Sequence, residues 1–167
     1  MLALEAAEAG LPLTGLALYE PPFIVDDSRP AMPDDYVSRL RELVAADRRA
    51  DASEYFLQQA VGLPQEVVAG MRQNGALAAV DEVAHTIAND GEIMGDTIHG
   101  RPLPADRWTH VSAPVLVLDG GDSPPSMHSA AEALTELLPG AERRTLPGQT
   151  HSAEPAVLAP VLREHFG

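Results

Sequence analysis

The feature that most constrains this chain is Pro114-Val115-Leu116-Val117-Leu118-Asp119-Gly120-Gly121-Asp122. The Val-Leu-Val-Leu run is apolar throughout, too short for a helix and stopped by a Gly-Gly turn, so it predicts a strand over 114–119. A second run, Gly15-Leu16-Ala17-Leu18-Tyr19, reads as a strand over 14–19 buried on both faces. Glu20-Pro21-Pro22 ends it, because proline cannot donate to a ladder. A third strand is expected over 141–146. Helices alternate with these strands. Leu2–Ala9 is rich in Ala, Leu and Glu and stops at Gly10; 127–138 is amphipathic; 158–166 closes the chain. Asp34 and Asp35 open a tract with Tyr36, Leu40, Leu43 and Val44 on one face, followed by helices over about 52–61, 64–74 and 77–88. Pro64 suits a first helical turn, where a missing N–H costs nothing. Strand–helix–strand alternation with apolar strands predicts an α/β fold on a parallel sheet, with residues 34–100 as a helical insertion.

The 167 residues suit one domain with a real core. Aromatics make up only 4%, so Ala, Leu and Val must fill that core. A net charge of −14 describes an acidic, well-solvated protein and excludes nucleic acid, whose phosphates such a surface repels. Without cysteine there is no disulfide, thiolate metal site or thiol nucleophile. No two histidines have the i, i+4 spacing of a helical metal site, and neither a metal nor a cofactor is expected. The first residues lack a basic segment followed by an apolar one, and no apolar run is long enough for a membrane, so a cytoplasmic location is expected.

The chemistry-bearing stretch is Gly148-Gln149-Thr150-His151, a loop after the third expected strand. A catalytic histidine needs such a loop, which carries Nε2 over a nucleophile and leaves Nδ1 for an acid. This loop, the Gly-Gly-Asp turn after 114–119 and the order of elements resemble an α/β-hydrolase entered just after its nucleophile elbow. The resemblance covers the whole chain and only the second half of the family fold. It implies a truncated α/β-hydrolase fold of about three parallel strands with flanking helices. Residues 1–22 and 101–167 would form the partial core, and 23–100 a helical cap between the first and second strands.

The same resemblance implies that His151 is the general base. For its acid partner two positions stay open. In many family members the acid follows the second-last strand, directly before a proline; here that slot is Ser123, with Asp122 one residue early. In others it ends the strand before the cap, where this chain has Glu20. Asp119 and Asp96 are weaker candidates. The nucleophile elbow G-x-S-x-G and the oxyanion segment are both absent. Ser123 stands before Pro124-Pro125, which obstruct a tight elbow, and is expected to cap the following helix. His99-Gly100 lies in a connector, and His85, His99, His110, His128 and His165 are expected to be surface or cap residues.

Three functional readings follow. The first is ester- or amide-type hydrolysis, with His151 as base and the nucleophile on another chain or an upstream segment. The second is a nucleophile-free acid–base enzyme (dehydratase, isomerase or cyclase). It would use a His–carboxylate pair and hold a small apolar substrate under a cap lined by Tyr36, Tyr55, Phe56, Met71, Met94 and Trp108. The third is a non-catalytic interaction module. In the family's sheet order the strand 14–19 has lost its neighbour, and such an edge pairs with a second copy or with a Ser-bearing partner half.

Overall fold

The computed structural model describes residues 1–167. The chain forms two compact units, Met1–Ala31 with Asp96–Gly167, and Met32–Gly95.

The first unit is built on a parallel sheet of three strands, β1 (Leu16–Tyr19), β2 (Val115–Gly120) and β3 (Glu142–Leu146), in the order β1-β2-β3. Leu16 lies opposite Val115 and Tyr19 opposite Leu118; on the other side Leu116 pairs with Glu142 and Gly120 with Leu146. Every residue of β2 is buried, as its apolar run requires of a central strand. Its side chains alternate between two faces. Leu116 and Leu118 join Leu146, Ala17 and Tyr19 under Val157, Leu158, Val161 and Leu162 of α8 (Pro155–Phe166). Val115 and Val117 point the other way, and α7 (Pro125–Leu137) packs on β2 with Ala130, Ala131 and Leu134 fully buried.

Helix α1 (Leu2–Glu8) buries Leu4 and Ala7, and Gly10 turns the chain away with a left-handed φ of +88°. Its acidic side holds the connector before β2. Glu5 Oε1 accepts from Trp108 Nε1 at 2.9 Å and from Arg107 Nη2 at 2.7 Å; Glu8 accepts from the His110 backbone N–H at 2.8 Å. Trp108 is 1% exposed and stacks on Phe23 at 5.6 Å. The sequence groups it with the aromatics of the helical insertion; the structure places it in the sheet unit, where its indole N–H finds the half-buried Glu5 carboxylate.

The second unit is helical: α2 (Tyr36–Ala45), α3 (Arg49–Gln59), α4 (Gln65–Gln73), α5 (Ala78–Val83) and α6 (Ile87–Met94). Tyr36 stacks on Tyr55 at 5.7 Å, and Leu57, Val68 and Leu77 form a small core with Phe56, Leu63 and Met71. The single helix expected over 77–88 is two, separated by a 3₁₀ turn at Ala84–Thr86.

Candidate functional site

Three segments converge at the carboxyl ends of the three parallel strands, the end of such a sheet where ligand sites form. They are Glu20 after β1, the last residue of β2 (Gly120) with Gly121–Ser123 after it, and Pro147–His151 after β3. Their backbones clasp one another: Gly121 N–H donates to Leu146 O at 2.8 Å and Asp122 N–H to Gln149 O at 2.9 Å. Gly120 makes the clasp possible, since a Cβ there would lie 2.4 Å from the Gln149 carbonyl oxygen. Tyr19 adds a side-chain tie, its hydroxyl donating to Thr150 O at 2.5 Å. Burial, and then the negative charges of Glu20 and Asp119, push this phenol above its ordinary range, so it stays a donor at neutral pH.

Glu20 is the centre of the site. It is 1% exposed and takes a left-handed φ of +45°, uncommon for a residue with a side chain. A buried carboxylate needs partners on its oxygens. Oε1 accepts from the Gly120 N–H at 2.9 Å and from the Ser123 hydroxyl; Oε2 faces His151 Nδ1 at 2.8 Å. An ionised Glu20 can only accept, so Nδ1 carries the proton and Nε2 of the neutral ring holds the free lone pair. The His151 side chain is 69% exposed, and Nε2 has no hydrogen-bond partner.

Of the residues singled out in the sequence, the structure thus brings His151 and Glu20 together. Asp122 is exposed, tied in by its backbone N–H, and its carboxylate is not the one on His151. Ser123 does not cap α7: the N-cap position is Pro124, with no side-chain cap, and the hydroxyl instead donates to Glu20.

A second carboxylate–histidine pair went unnoticed in the sequence. Asp119, 0% exposed in β2, accepts from Arg143 Nε at 2.9 Å and Nη2 at 3.2 Å, and from the Thr145 hydroxyl at 3.1 Å; its Oδ2 lies 2.5 Å from His128 Nδ1. Burial pushes its carboxyl up, but the hydrogen bonds from Arg143, His128 and Thr145 outweigh that and hold it below the ordinary range. The in-register pairing of Asp119 with Thr145, beside Arg143, is the signal that was available, visible only once the strands are aligned. His128, expected at the surface, is anchored by this carboxylate. His110 Nδ1 likewise lies 2.6 Å from Glu8 Oε1.

No group of three or more His, Asp or Glu side chains gathers as metal ligands would, and no helix is long and apolar enough to cross a membrane.

No protein-family model and no curated protein matches the chain. A solved crystal structure does: an alpha/beta hydrolase from Sphaerobacter thermophilus DSM 20745, with 44% sequence identity and a TM-score of 0.84. The match takes in 99% of this chain and 63% of that one, so the chain spans less than two thirds of its solved neighbour. With its parallel sheet, flanking helices and near-complete alignment to that structure, the chain has a truncated α/β-hydrolase fold.

Proposed function

We propose that this chain supplies the acid and base of a hydrolytic site that cleaves ester- or amide-type bonds, and that the nucleophile comes from residues outside these 167. The observation that carries the reading is the 2.8 Å contact between buried Glu20 Oε2 and His151 Nδ1, with Nε2 left open. In such a site Nε2 takes the proton from an attacking hydroxyl and later returns it to the leaving group. Glu20 holds the ring in the required tautomer and stabilises the imidazolium. Ser123 is not that nucleophile, because its proton is directed at Glu20 and no hydrogen bond links it to His151.

The outer edge of β1 supports a partner for the site. β1 bonds only to β2, and Leu16-Ala17-Leu18-Tyr19 has none of the prolines or charges that blunt a sheet edge. A strand added there parallel to β1 would end at the edge of the sheet that carries Glu20 and His151. The occupant proposed is therefore a nucleophile-bearing segment.

The test is hydrolysis of p-nitrophenyl acetate by this chain alone and by this chain co-expressed with the part of the Sphaerobacter protein that it does not span. Turnover is expected only from the purified pair. Glu20→Gln should lower it on the order of 10,000-fold, since an amide NH₂ facing Nδ1 favours the wrong tautomer. His151→Ala should abolish it. A pair whose turnover survives either substitution overturns the reading, as does a pure pair without turnover. A stable homodimer that excludes the added segment would assign the β1 edge to a second copy.

A further inference from the structure

We infer that Ser123 is a positioning residue for the acid–base pair: its hydroxyl holds Glu20 Oε1 so that Oε2 is presented to His151. The inference rests on the hydrolytic reading for its purpose, and on geometry for its substance. A carboxylate on a stem of two methylenes turns about its last bond unless both oxygens are engaged. Here Oε1 takes two donors, the Gly120 N–H at 2.9 Å and the Ser123 O–H, while Oε2 is left to the imidazole at 2.8 Å. The Gly120 donor belongs to the end of β2, and the Ser123 donor to the turn that follows. The carboxylate is thereby fixed from two directions.

The local sequence explains why this hydroxyl is free to do so. A serine before a helix ordinarily spends its oxygen on the orphan N–H groups of the first turn. Here the next two residues are Pro124 and Pro125, which have no N–H, and Pro124 itself occupies the N-cap position. Ser123 therefore lies one residue outside the capping position. Its own N–H donates back to Gly120 O at 3.1 Å, closing a tight turn that points the hydroxyl at the buried carboxylate. The residue is 8% exposed, which leaves water little room to replace it.

The measurement is the solvent-exchange rate of the His151 Nδ1 proton, read by NMR on the isolated chain as a downfield resonance that disappears in His151→Ala. Glu20→Gln should eliminate the hydrogen-bonded proton signal. Ser123→Ala should keep the backbone amide spectrum outside the site and speed exchange of that proton roughly tenfold. Ser123→Thr, which restores the hydroxyl, should return the wild-type rate. If the alanine variant does not fold, Ser123→Cys, close in shape with a weaker donor, should show an intermediate rate. An unchanged rate in Ser123→Ala, or in the Cys variant that replaces it, overturns the inference. This readout needs no nucleophile and no turnover, so its failure leaves the hydrolytic reading to stand or fall on its own assay.

Discussion

Replacing Asp119 tests how the sheet tolerates a charge at its centre. Its carboxylate is fully buried and satisfied by Arg143, Thr145 and His128. Asp119→Ala strips all three partners at once and leaves a guanidinium beside an apolar cavity. Removing one member of a fully buried ion pair costs about 3–5 kcal/mol. Here Arg143 and His128 are 26% and 32% exposed and can recover some hydration, so the expected loss is at the lower end, about 3 kcal/mol. For a chain of this length that corresponds to a fall in Tm of roughly 6–12 °C. The single tryptophan, Trp108, is buried in the same unit, so its fluorescence during urea unfolding reports the part of the chain concerned. The pH dependence has a definite sign. The folded carboxyl titrates below its unfolded value, so its contribution is complete above the unfolded pKa of about 3.9 and is lost as pH falls through the lower folded value. The gap between wild type and variant should hold from pH 7 to about pH 5 and close below about pH 4. A gap under about 1 kcal/mol at pH 7, or one that does not narrow in acid, would refute the argument.

The remaining expectations concern two glycines and the clasp around the site. Gly120→Ala should destabilise by about 2 kcal/mol or more, because its Cβ would meet the Gln149 carbonyl carbon and oxygen at 2.6 and 2.4 Å and backbone cannot rotate aside. The same substitution at Gly70, inside α4 with open space around it, should stabilise by about 0.5–1 kcal/mol, and the urea midpoints of the two variants should move in opposite directions. Tyr19→Phe removes the donor to Thr150 O, and amide hydrogen exchange at Thr150–Ser152 should quicken while the β2 amides stay protected.

How far the sequence disclosed the fold follows from where burial supplied a pattern. β1 and β2 stood out because continuous apolar runs are required of strands covered on both faces. β3 did so less, since Glu142-Arg143-Arg144-Thr145-Leu146 is an edge strand with only Leu146 buried. The break between α5 and α6 left little trace. Thr86, Asn89, Asp90 and Gly91 are weak helix formers, yet Ile87, Ala88 and Met94 are buried and packing holds α6 together. Gly91 marks the close approach, for a Cβ there would come within 2.8 Å of the Val37 side chain. α7 and α8 each begin two or three residues before the apolar pattern does, at Pro125 and Pro155, where proline's fixed φ starts a helix. Pro160, inside α8, is accommodated on an exposed turn.

The candidate site was legible in its residue types and not in its pairing, and the reason is backbone direction. His151 stands out because the Gly148-x-x-His151 loop after a strand resembles the loop that carries the family's catalytic histidine. The choice between Glu20 and Asp122 depended on two facts that letters do not carry. Glu20 leaves the strand with a φ of +45°, a turn that a sequence advertises when the residue is glycine and conceals when it is glutamate. Asp122 sits in a turn where one residue of offset reverses a side chain, so it faces water while Ser123 faces inward. Once Ser123 faces the carboxylate and two prolines follow it, the hydroxyl has no helix to cap and Glu20 gains its second anchor. The sequence showed the donor, the prolines and the acid separately; only the turn after β2, folded back on the loop after β3, makes them one unit.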